Sequence, residues 1–154
     1  MTAGNALTAS LEDYIEAIFH IVSKKKAARA KDIAERVGVN SSSVTGALHA
    51  LSERGLVNYA PYDVITLTAK GEKIARDVVR RHDVLRDFFI RVLSVGEEQA
   101  EDAACRMEHA ISPAVMERIV RFVEHVDRLP DAQADWLKTF SEDAPERTDE
   151  DENR

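Results

Sequence analysis

With 154 residues, 44% of them hydrophobic, and a formal net charge of −7, the chain suffices for one ordinary soluble domain or two small ones sharing a core. No apolar run approaches the roughly 20 residues that span a bilayer, and Met1 to Ser10 has neither the basic patch nor the apolar stretch of a signal peptide, so a cytoplasmic protein without membrane contact is expected. The single cysteine, Cys105, excludes an internal disulfide and fits a reducing compartment.

In chain order, Leu11, Ile15, Ile18, Phe19 and Val22 recur at helical spacing and predict an amphipathic helix from Leu11 to about Ser23, with Ser10 as its N-cap. Lys24-Lys25-Lys26 ends it. A second helix is predicted over Ala30 to Val37, closed by Gly38. Asn40-Ser41-Ser42-Ser43 supplies cap candidates for a third, reaching about Arg54, with Val44, Leu48 and Leu51 on its apolar face. Two short helices joined by a tight Gly-containing turn form a helix-turn-helix pattern. Leu56–Tyr59 and Val64–Thr68 then flank a turn containing Pro61, as in a β-hairpin wing. Thr68 to Leu93 reads as one long helix, Glu97 to Ala110 as the next, and Ser112-Pro113 opens another that runs to about Arg128. A last short helix carries Trp136, Leu137 and Phe140, after which an acidic tail has too few apolar residues to offset its ordering entropy. The fold class is therefore mainly α, opening on a winged helix-turn-helix, with no internal repeat and no additional C-terminal domain.

The acidic balance is unevenly placed. Ser141 to Arg154 holds seven acidic and two basic residues, whereas Ser23 to Arg54 holds seven basic against three acidic. A basic stripe on the helix-turn-helix is compatible with DNA. Asn40, Ser42, Ser43, Thr45, Gly46 and His49 at the exposed start of the third helix are the candidates for base and phosphate contact, and Lys26 and Arg29, with their neighbours Lys24, Lys25 and Lys31, for phosphate neutralisation. The plainer alternative is a solvated basic face behind a Ser-rich cap.

Cys105-x-x-Glu108-His109 places a thiolate, a carboxylate and an imidazole at i, i+3 and i+4, on one face of a helix. Three metal ligands, or a partly buried cysteine, a solvated glutamate and a core histidine, both satisfy that spacing. Asp13 and Glu16 share a face of the first helix, where Ser10-x-x-Asp13 also suits a capping box. His82 in the long helix is, by itself, an ordinary helical histidine. No phosphate-binding glycine loop, nucleophile elbow or paired-carboxylate hydrolase arrangement is present, so neither catalysis nor a small-molecule substrate is expected.

Leu11-Glu12-Asp13-Tyr14-Ile15-Glu16, Asp32-Ile33-Ala34, Ser42-Ser43-Val44-Thr45, Leu67-Thr68-Ala69-Lys70-Gly71, Arg81-His82 and Cys105-x-x-Glu108-His109 fall in one order along the chain. On these motifs, from about Thr8 to about His125, the chain resembles the DtxR/MntR metalloregulators, in the short form without the SH3-like domain of the longer iron-responsive members. The resemblance implies a homodimer, a winged helix-turn-helix domain over 1–72 and an all-α metal-binding and dimerisation domain over 73–140, while composition leaves 141–154 as an acidic, disordered tail. It implies one metal site drawn from Asp13, Glu16, His82, Cys105, Glu108 and His109. Cys105 stands where the manganese pattern has Glu, and a thiolate favours softer cations than a carboxylate does. Cysteine there is typical of the iron-responsive branch, so Mn²⁺ and Fe²⁺, as one or two ions per subunit, are the implied effectors. Arg86 stands where that branch has an ancillary-site Glu. The implied mechanism is that metal ties the first helix to the long and motif helices, setting the separation of two recognition helices to match major grooves about 34 to 36 Å apart on a palindromic operator of metal-homeostasis genes. The rival expectation is a winged-helix protein that binds DNA without metal.

Overall fold

A computed structural model describes residues 7–59, 64–130, 136, 139 and 140. The chain divides into two compact units, Met1–Arg81 and His82–Arg154. Elements run in the order α1 (Ala9–Lys25), α2 (Ala30–Val37), α3 (Ser41–Glu53), β1 (Val57–Asn58), β2 (Thr66–Leu67), α4 (Ala69–Arg91), α5 (Glu97–Met107) and α6 (Pro113–Asp127). The architecture is mainly α, as expected. No described helix is long and apolar enough to cross a membrane.

The first unit is built on three helices. α1 buries Tyr14, Ile15, Ala17, Ile18 and Ile21, and α3 buries Val44, Ala47, Leu48 and Leu51, each set at the i, i+3, i+4, i+7 spacing of one helical stripe. Ile33 of α2, Leu56, Ile65 and Ala75 complete a continuous core. Between α2 and α3, Gly38 takes φ 74°, a left-handed conformation that costs glycine little, and donates its N–H to the Ala34 carbonyl. Asn40 then caps α3, its side-chain oxygen accepting from the Ser43 N–H at 2.9 Å.

The start of α1 differs from the expectation. Thr8, not Ser10, is the N-cap, its hydroxyl accepting from Leu11 N–H at 3.3 Å, and the helix begins at Ala9. Ser10 therefore lies within the first turn, and no Ser10–Asp13 capping box forms.

The wing pairs Val57 with Leu67 and Asn58 with Thr66, antiparallel. A further bridge joins Ala28 to Ile65. The turn expected around Pro61 lies outside the described residues. Thr68 then connects wing to helix: its N–H donates to the Leu56 carbonyl at 3.0 Å, its hydroxyl donates to the Gly55 carbonyl at 2.7 Å and accepts from the Gly71 N–H at 3.0 Å. A Cβ on Gly71 would stand 1.9 Å from the Leu56 carbonyl oxygen, so the Leu67–Gly71 motif exists to let α4 start against the wing backbone. Arg76 lies over the Phe19 ring at 5.3 Å, and Arg81 donates to Glu12 at 2.8 Å, fixing this stretch of α4 along α1.

In the second unit, Leu85 and Phe89 of α4 meet Ala100 and Ala104 of α5, with Phe88, Ile111, Met116 and Ile119 packed around them. Helix α5 ends at Met107, three residues short of the expected Ala110; Glu108 is its C-cap and the chain turns through Ala110. Ser112 caps α6, accepting from Val115 N–H, with Pro113 in the first turn. No residue of α6 is fully buried, and Val115 and Phe122 are exposed. Of the expected last helix, Trp136 and Phe140 are exposed, while Leu137 and the tail 141–154 lie outside the described residues.

Candidate metal centre and nucleic-acid interface

On α5, Ala100, Ala104 and Glu108 fall at i, i+4 and i+8, so the stripe that carries two small apolar residues into the core carries a carboxylate with them. Glu108 is 0% exposed. Burying a carboxylate costs several kcal/mol or more unless it is paired. Two imidazoles supply the pairing. His82 of α4 presents Nδ1 to Glu108 Oε2 at 2.7 Å, and His109 presents Nε2 to Glu108 Oε1 at 3.2 Å. His82 Nε2 faces Glu101 Oε1 at 3.1 Å, and the other oxygen of Glu101 accepts from Arg86 Nε at 3.0 Å. The hydrogen bond to Glu108 holds His82 protonated far into the alkaline range, to about 9, against the opposing effect of desolvation and with help from Glu101.

In that state the imidazolium proton balances the buried carboxylate. A divalent transition ion would serve the same electrostatic purpose, and imidazole nitrogen with carboxylate oxygen is a donor set that suits Mn²⁺ or Fe²⁺. The residues His82, Glu108 and His109 thus fit such an ion, which when bound would supply a fixed positive charge rather than a reactive group.

Of the remaining sequence candidates, Cys105 is exposed although it stands only three residues before the buried Glu108. The buried stripe of α5 passes through Ala104, one residue before the thiol, and the helical backbone continues through the C-cap Glu108, whose N–H donates to the Ala104 carbonyl. Asp13 and Glu16 lie in the body of α1, beyond its first turn. Since Thr8 caps that helix, capping does not account for them. Glu101 and Glu12 are the residues that spacing underweights: each acts through a partner distant in sequence, Glu101 through His82 and Glu12 through Arg81.

In the first unit all eight DNA candidates are exposed. Ser42 donates to the Asn40 side chain at 2.7 Å, and Thr45 donates to the Ser41 carbonyl at 3.0 Å, so two of the hydroxyls are aligned along the start of α3. Gly46 is exposed in mid-helix with open space where a Cβ would be. His49 meets Tyr59 of the wing edge-on, with ring centroids 5.5 Å apart. Lys26 closes α1 at φ 67° and Arg29 precedes α2 without a side-chain cap. Lys25 is bonded to Asp32 at 3.0 Å, which holds that carboxyl below its usual range.

A helix-turn-helix with a wing, followed by helices carrying a buried carboxylate between two imidazoles, defines a DNA-binding protein with a metal-responsive helical region. Comparison with known proteins agrees. Residues 6–65 match the N-terminal DNA-binding domain of the iron dependent repressors, and residues 68–137 match their metal binding and dimerisation domain. The HTH-type transcriptional regulator MntR of Lysinibacillus sphaericus is 38% identical over 124 residues, covering 80% of this chain and 88% of that protein. MntR of Bacillus subtilis is 36% identical over 133 residues, covering 86% and 92%. Among solved structures, a manganese-dependent transcriptional repressor in complex with manganese superposes with a TM-score of 0.69 at 31% identity, covering 80% of this chain and 59% of that one. The manganese regulator SloR gives 0.66 at 25% identity, covering 74% and 53%, so the chain spans little more than half the length of those solved chains.

The chain belongs to the iron-dependent repressor (DtxR/MntR) family. It is a metal-dependent, DNA-binding transcriptional regulator of that family, which comprises regulators and not enzymes.

Proposed function

We propose that this regulator represses genes of manganese or iron homeostasis from the cytoplasm, as a homodimer on a palindromic operator, when Mn²⁺ or Fe²⁺ is bound. The observation that carries the reading is the buried Glu108 clasped by His82 and His109 in a chain whose other half is a winged helix-turn-helix. By the resemblance, Asp13, Glu16 and Cys105 complete a ligand set with His82, Glu108 and His109, for one or two ions per subunit, with Cys105 as the ligand that tunes selectivity. The unsuitability of capping as an account of Asp13 and Glu16 supports their inclusion. The functional division is 1–72 for DNA and 73–140 for metal and dimerisation. Lys26, Arg29, Asn40, Ser42, Ser43, Thr45, Gly46 and His49 are the DNA-facing residues, which their exposure supports.

Metal acts by binding the DNA-competent state more tightly than its alternatives, which requires reciprocal coupling between metal and operator. Fluorescence anisotropy with operator DNA at fixed salt, anaerobically, tests this: affinity should rise about tenfold or more on adding Mn²⁺ or Fe²⁺ to chelated protein, in line with couplings of about 1–3 kcal/mol. Equal affinity with and without metal would establish metal-independent binding instead. A Cys105→Glu variant that shifts preference toward Mn²⁺ assigns selectivity to Cys105.

A further inference from the structure

The second unit carries a chain of contacts longer than a ligand set needs. It runs Arg86–Glu101–His82–Glu108–His109, with successive separations of 3.0, 3.1, 2.7 and 3.2 Å. The two ends differ in environment. Glu108 is fully buried and the His82 side chain is 13% exposed, whereas Glu101 is 59% exposed and Arg86 36%.

We infer that Glu101, itself held by Arg86, is the positioning residue of His82, fixing its ring by accepting the Nε2–H so that Nδ1 is the nitrogen offered to metal beside Glu108. This rests on the reading of His82 and Glu108 as metal ligands. The geometry supplies the reasons. An imidazole that binds a cation through one nitrogen must carry its proton on the other, and the partner of that N–H decides both the tautomer and the ring plane. Here Nε2 faces the carboxylate that is solvent-accessible and already paired with a guanidinium, and Nδ1 faces the buried carboxylate. A Glu101 neutralised by Arg86 gains little by leaving it for a metal, because it already has a fixed cation at hydrogen-bonding distance. The same pair accounts for an exposed α5 glutamate being held in one place: Arg86 lies on α4 one turn after His82, so a single helix supplies both the ring and the cation that steadies the ring's partner.

The test uses the full-length protein and Mn²⁺ itself, with free ion counted by electron paramagnetic resonance during titration and the metal-free melting curve of each variant recorded as a folding control. Glu101→Ala should weaken Mn²⁺ binding by about 10- to 100-fold, the usual cost of removing such a partner. Glu101→Gln should recover most of that loss, because its carbonyl still accepts from Nε2–H. The Co²⁺ ligand-field spectrum at saturating metal should keep its wild-type coordination number in both. Unchanged affinity in Glu101→Ala overturns the inference. So does a Glu101→Gln variant as weak as Glu101→Ala together with a changed Co²⁺ spectrum, which would make Glu101 a ligand. A His82→Ala variant separates the two levels: if it binds Mn²⁺ as the wild type does, the metal-site reading itself fails, whereas loss in His82→Ala without loss in Glu101→Ala rejects only the positioning role.

Discussion

The two units solve the problem of a core differently. In the first, three helices and the wing bury a continuous apolar set, including Ile15, Ile18, Ile33, Leu48, Leu51, Leu56 and Ile65 at 0–1% exposure. In the second, the fully buried apolar residues of the main cluster are few, two of them are alanines, and the largest fully buried side chain beside Leu85 is the charged Glu108, while α6 buries no residue completely. A region whose interior is organised around a charge, and whose α6 keeps Val115 and Phe122 exposed, is expected to gain more stability from a bound partner or ion than the first unit does. That division suits a family whose second domain binds metal and dimerises.

The contrast can be broken from either side. The largest effect is expected from Gly71→Ala: a methyl 1.9 Å from the Leu56 carbonyl forces backbone movement, and a loss of about 3 kcal/mol in unfolding free energy should appear in urea denaturation whether or not metal is present. A variant as stable as the wild type would show that the wing and α4 can part without cost. The second unit should respond instead to pH. His82 is raised from 6.5 in the unfolded chain to about 9 when folded. A raised pKa stabilises the folded state when the group is protonated, so the contribution is full below about pH 6.5 and is lost as pH climbs through about 9. Its size is on the order of 3 kcal/mol from a shift of this magnitude. Melting of chelated protein from pH 6 to 10 should fall over that window, and His82→Gln should flatten the curve; a parallel fall in the variant would assign the effect elsewhere. The smallest effect sharpens the contrast on the reading side. Gly46→Ala should raise stability by about 0.5–1 kcal/mol, since an exposed mid-helix glycine in open space gains from the lost backbone freedom, yet weaken operator binding several-fold if DNA approaches that bare stretch of α3.

Punctuation in the sequence explains what was legible. α2 is found to the residue because Gly38 and Asn40 mark its end and the next beginning. The start of α1 slips by two because Thr8 and Ser10 are equally able caps, and only the folded backbone chooses between them. α5 is overrun because nothing between Met107 and Ser112 breaks helical spacing in the sequence; the chain turns there so that Ile111 can reach the core. The metal candidates His82, Glu108 and His109 were visible as residue types, but the burial of Glu108 was not. It could have been read from Ala100 and Ala104, whose four-residue step continues onto Glu108 and past Cys105. The partnership of Glu101 with His82 and Arg86 depends on how α5 lies along α4, which no local pattern encodes.

The bridge between Ala28 and Ile65 has a consequence for exchange with solvent. Each residue donates its N–H to the other's carbonyl at 2.8 Å, and both are almost completely buried. In deuterated water these two amides, though they belong to a loop and a hairpin strand, should exchange as slowly as the middle of α3, because both are hydrogen-bonded and shielded from water. The second strand of the wing is thereby tied to the segment between α1 and α2, and slow exchange at both amides would show the two opening as a single event.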